Sequence, residues 1–193
     1  MSHRVPPKRK TKREKIAESE VLRKQQKRTH TLLIGVFCSL FFLGLVANVL
    51  TNLLYRTTII DWKVPLIIWL FSGCVVTPFA KPYWEKAGTQ SVFLQLICNV
   101  TSIGGILAWL FMAVNSWSSA VEREVVVPVI QTGSLARGRY GTCEAPYAVI
   151  RVDKTDKQLV FACGVRVEGH QWVQLTVQNG LLGFMVIRRK TIH

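Results

Sequence analysis

Three stretches of this chain, residues 31–55, 64–80 and 91–117, contain no Asp, Glu, Lys, Arg or His. A helix crosses the hydrocarbon core of a bilayer with about 20 predominantly apolar residues. The first and third stretches exceed that length and the second just reaches it, so the expected framework is three transmembrane α-helices. A cleavable signal peptide would show a shorter apolar run of about 7–15 residues before a small-residue cleavage site. The first stretch has neither property and reads as an uncleaved anchor. The second carries Pro65, Gly73 and Pro78. Trp62 and Lys63 on one side of it, with Lys81, Tyr83 and Trp84 on the other, suit the headgroup level, where amphipathic rings and long basic side chains sit. A re-entrant course is the alternative, and it would invert the side of everything that follows.

Composition points the same way, with 49% hydrophobic and 19% charged residues and a mean hydropathy of +0.25. A formal net charge of +14 calls for an anionic neighbour, either lipid or nucleic acid. Much of it lies in residues 1–30, a basic arm expected to be partly disordered and then helical from Glu14 to Arg28, running on into the first span. Basic residues beside a membrane contribute about 1 kcal/mol each toward anionic headgroups. Lys8, Arg9, Lys10, Lys12, Arg13, Lys15, Lys27 and Arg28 are therefore the expected anionic-lipid contacts. No aromatic residue is interleaved among them, so a base-stacking platform is lacking and nucleic acid is not the expected partner. Lys and Arg in short flanks stay in the cytoplasm. The arm, together with Lys81 and Lys86, outweighs Arg56 and Lys63, so the N-terminus is expected in the cytoplasm of a plasma (bacterial inner) membrane, with residues 118–193 outside it.

From residue 118 onward, long apolar runs give way to short alternations bounded by turn residues, the pattern of a small all-β domain forming an antiparallel sheet or open barrel. Trp172–Gln178 alternates cleanly, and Asn179 and Gly180 suit a two-residue turn returning through Leu181–Ile187. Tyr147–Val152 and Gln158–Val167 read as a second hairpin. Val125–Ile130 is β-branched but contains Pro128, which assigns it to an edge or a connecting arm. A core this small often needs a staple, and Cys143 with Cys163 is a candidate disulfide worth about 3 kcal/mol. Two free, half-buried cysteines are the equal alternative.

Spans without ionisable residues argue against a pump or ion-coupled transporter. Their polar residues fall into two stripes, Gly44, Asn48 and Asn52 in the first span and Gln95, Asn99 and Ser102 in the third. Small and amide residues at helical spacing usually pack helix on helix, and the competing reading is a hydrophilic path. No catalytic, cofactor-binding or metal set with recognisable spacing is present. The expected function is a non-enzymatic membrane subunit that anchors a β-domain for docking onto a larger envelope or secretion-type assembly, with membrane or envelope proteins, or further copies of itself, as partners. Exposed strand edges suit such docking. The alternatives are a thiol-dependent enzyme or factor using Cys143 or Cys163 with His170, and a small pore.

Overall fold

The computed structural model describes residues 12–117, 120–136, 144–152 and 155–192, with backbone alone for 12–19 and 22. Helix α1 (Lys12–Thr57) is continuous over 46 residues because no proline interrupts it and strong helix formers lead straight into the apolar stretch. At about 1.5 Å per residue it is roughly 70 Å long, more than twice the thickness of a hydrocarbon core. Helix α2 (Lys63–Lys86) starts where the Asp61 carboxylate accepts the Lys63 N–H at 3.0 Å, and Pro65 falls in its first turn, where a missing donor costs nothing. It passes the expected end at residue 80 with Pro78 and Pro82 inside it. Helix α3 (Val92–Ser116) begins at a Ser91 cap whose hydroxyl accepts from Leu94 N. Its middle turn, Val100–Gly104, is π-helical.

Each helix contains a segment long and apolar enough to cross a membrane, namely Arg23–Thr57, Lys63–Lys86 and Val92–Ser116. The three run up, down and up. A Cβ built on Gly88, in the α2–α3 connection, would lie 3.5 Å from His30 in α1, whereas the residues that follow α1 reach the sheet that follows α3.

That sheet has six antiparallel strands in the order β1-β6-β5-β2-β3-β4. They are β1 (Thr58–Ile59), β2 (Arg123–Leu135), β3 (Ala145–Val152), β4 (Thr155–Val160), β5 (Trp172–Asn179) and β6 (Met185–Ile192). Alternating Val173, Leu175 and Val177 of β5 are almost fully buried, and with Val127, Ile150, Leu159 and Phe161 they build one core. Cross-strand burial of β-branched and leucine side chains on one face is what makes a small sheet stable.

Three sequence expectations are corrected. First, β2 is central, not an edge or arm: residues 123–128 pair with β5 and 129–135 with β3. Val129 N donates to Gln171 O, so the alternating backbone of Pro128 points away from β5, at the place where pairing with β3 only begins. A missing donor is harmless at that switch. Second, Asn179 is still paired, with Met185, and the connection is the five-residue loop 180–184 with Gly183 at φ 88°. Third, β4 ends at Val160, and Val167 joins the core from a turn-rich segment. Beyond these, the loop between α1 and α2 contributes β1, placing Ile59 in the β core.

Candidate functional site

The two polar stripes divide their work between two helix contacts. At the α1–α3 crossing, a Cβ on Gly44 would lie 2.3 Å from Ser102 Cα, so only glycine permits the approach. Asn48 Nδ2 donates to Thr101 O at 3.1 Å, a carbonyl within the π-turn, where the regular helix ladder is disturbed. Ser102 Oγ bonds back to Cys98 O. At the α2–α3 contact, Asn99 is buried between two partners, accepting from Trp84 Nε1 and donating to Thr77 Oγ1, both at 3.2 Å. Gly73 there meets Val100, and Gly104 meets the Trp69 carbonyl. Gln95, fully buried, donates to Thr89 O at 2.7 Å. Trp84 is therefore not a headgroup anchor: it stacks on Phe37 with ring centroids 3.8 Å apart and closes the polar chain inside the bundle. Asn52 makes neither crossing and faces an open groove between α1 and α2.

A second polar node, which no motif in the sequence announces, joins helices to sheet. Asn115, 1% exposed in the last turn of α3, accepts from Leu182 N and Phe184 N and donates to Phe184 O. Its own carbonyl accepts from Leu181 N. Gly180 lies against it so closely that a Cβ would sit 2.4 Å from Asn115 O. The β5–β6 loop is thus shaped by a helix end, which is why a two-residue turn does not form.

The junction between α1 and the sheet holds most of the unusual electrostatics. Lys157 on β4 is 3% exposed, and its Nζ donates to Tyr55 O and sits 3.7 Å from the centroid of the Tyr55 ring. Burial lowers its pKa from the ordinary lysine value of 10.5 to about 8. Lys190 on β6 donates to Val160 O, lies over the Phe161 ring, and is lowered by burial as well. Asp156 beside them is occupied by Arg151, which binds it through two hydrogen bonds of 2.6 and 2.9 Å and thereby lowers its pKa. Tyr55, Asp156, Lys157 and Lys190 line a cleft of about 800 Å³ between the end of α1, β4 and β6.

Of the remaining candidates, Cys163 is disulfide-bonded and offers no thiolate in this state, and Cys143 lies outside the described residues. Cys38, Cys74 and Cys98 are free thiols in the spans. His170 occupies a turn in which its N–H bonds to Val167 O. Lys27 and Arg28 are exposed on α1. The side chains of Lys12, Arg13 and Lys15, and all of Lys8, Arg9 and Lys10, lie outside the described residues. Among the described residues no group of His, Cys, Asp or Glu is arranged to hold a metal. No family model, curated protein or solved structure matches the chain.

Proposed function

We propose that the chain is a non-enzymatic integral membrane subunit whose three helices hold the β-domain at the extracytoplasmic face of a plasma membrane, where the domain docks onto a larger envelope or secretion-type assembly. The observation that carries the docking is an exposed apolar patch on the outer face of the sheet. Val126 and Ile130 of β2 are 61% and 50% exposed, and Trp172 of β5, paired with Pro128, is 49% exposed. A tryptophan centred among aliphatic side chains and rimmed by polar groups, here the Gln174–Glu124 hydrogen bond, is the usual make-up of an interface hot spot. Trp117, Leu181 and Leu182 are also exposed, but they surround Asn115 at the end of α3 and suit the membrane interface.

The orientation rests on the charge difference between the two ends of the bundle. His30 and Gly88 meet at one end, so the basic arm lies on the same side as Lys81 and Lys86, the side that retention of positive charge assigns to the cytoplasm. The arm's lysines and arginines then face anionic headgroups. The test is photo-cross-linking from position 126, within the same patch, in intact cells, followed by mild detergent extraction. A discrete cross-linked protein, lost in Trp172→Glu with the chain still inserted, is the expected result. Recovery of an uncross-linked monomer alone would overturn the docking role.

A further inference from the structure

We propose that the junction of α1 with the sheet binds one anionic lipid, its phosphate headgroup in the basic cleft and a hydrocarbon chain in the groove between α1 and α2. The inference rests on the membrane placement above and is independent of docking. The cleft is lined by Arg56, Lys157, Arg188, Arg189 and Lys190. Among the described lining residues the one carboxylate, Asp156, is already held by Arg151, and the Arg188 guanidinium donates to Gln178 Oε1 and Ser116 O, so Arg56, Lys157, Arg189 and Lys190 have no free anion among those residues. Lys157 is the informative residue. A buried ammonium is normally paired with an anion, because leaving water is costly unless opposite charge replaces it. Here its partners are a neutral carbonyl and a ring face. A phosphate in the cleft supplies the missing charge, and arginines bind phosphate through paired N–H groups.

The second cavity says why the phosphate belongs to a lipid. A groove of about 650 Å³, within the usual range for ligand pockets, runs between α1 and α2, with Leu45, Pro65, Leu66 and Trp69 in its wall. Asn52 and Tyr55 line both cavities, so the charged and apolar parts adjoin along one face of α1. A charged end and an apolar length that adjoin at Asn52 and Tyr55 together describe an anionic glycerolipid better than a soluble anion.

The test uses the full chain reconstituted in phosphatidylcholine vesicles containing a minor fraction of phosphatidylglycerol or of phosphatidylcholine, with either minor lipid carrying brominated chains that quench tryptophan on contact. Brominated phosphatidylglycerol is expected to quench more than brominated phosphatidylcholine, and replacing both tryptophans that line the groove, Trp62→Phe with Trp69→Phe, is expected to remove most of that excess. Lys157→Gln, and separately the exposed Arg189→Gln, should each reduce the excess, whereas glutamine at Lys8, Arg9, Lys10, Lys12, Arg13 and Lys15 should leave it in place. Equal quenching by the two lipids, or an excess that follows the arm and not Lys157 and Arg189, would overturn the site. A fluorescence response to inorganic phosphate without brominated lipid, with no excess from the anionic lipid, would assign the cleft to a soluble anion and overturn it too. Absence of quenching by either lipid would remove the membrane placement and the site with it.

Discussion

Asn115 and Lys157 are each buried polar residues that link helices to sheet, with opposite consequences for stability. The Asn115 side chain answers two N–H groups and one carbonyl of the 180–184 loop. Asn115→Ala leaves the Leu182 and Phe184 N–H groups without an acceptor, while Phe184 O keeps the Gly180 N–H, a loss of about 2–4 kcal/mol, read as lowered midpoints of unfolding in detergent and as earlier proteolysis of the loop. Lys157 behaves in the reverse sense. Its native pKa of about 8 lies below the ordinary 10.5, so between those values the unfolded chain binds more protons than the folded one and stability rises with pH. Below about 8 the buried charge is a cost. Lys157→Met is therefore expected to melt higher than the parent at neutral pH in zwitterionic detergent, with the difference shrinking as pH rises through that window. A difference constant with pH would show that the ammonium is not desolvated. Neither role was legible in the sequence. An asparagine in an apolar run and a lysine in an alternating strand look like ordinary packing amide and solvated charge, and their partners lie 69 and 102 residues away.

Among the elements, the spans were legible because an uncharged apolar run of about 20 residues matches the thickness of a bilayer core and is seldom seen in a water-facing fold. The alternation of Val173, Leu175 and Val177 likewise marked the core face of β5. What escaped was whatever depends on a neighbour. Two-residue β1 is too short to carry a period, the π-turn has no composition of its own, and Pro128 suggested an edge because only the switch of partners along β2 makes it tolerable in the centre. The glycines of the spans separate packing from propensity. Gly44, Gly73 and Gly104 each admit a backbone at a distance where a Cβ would lie 2.3–2.4 Å from the facing helix, whereas Gly35 has nothing within 4 Å. Gly44→Ala is expected to force α1 from α3 and to lower stability by about 1–3 kcal/mol, whereas Gly35→Ala should be neutral or stabilise by up to about 1 kcal/mol through helix propensity. Unfolding in mixed micelles measures both. Equal effects would mean that the α1–α3 contact is looser than the geometry requires.

At the scale of the whole molecule, helices and sheet are not an anchor with a passenger. The connection after α1 supplies a strand to the edge of β6 and Ile59 to the core, α3 shapes the β5–β6 loop through Asn115, and Arg188 on β6 donates to Ser116 O at the end of α3. The C-terminal segment alone lacks all three. A sheet of this size has little surplus stability, so losing one core side chain and a capped edge leaves it near the point where folding entropy wins. Residues 118–193 produced alone are therefore expected to give collapsed proton spectra and a broad thermal transition, whereas the full chain in detergent protects the amides of β5 and β6 from exchange. Ile59→Ala in the full chain should reproduce part of the defect, costing about 2–4 kcal/mol and loosening β6 first, although position 59 lies outside the C-terminal segment. A well-dispersed spectrum from the isolated segment would make the domain autonomous and the junction a tether. If the segment fails and Ile59→Ala loosens β6, the two parts fold as one cooperative unit. Anything bound where they meet then stabilises helices and sheet together.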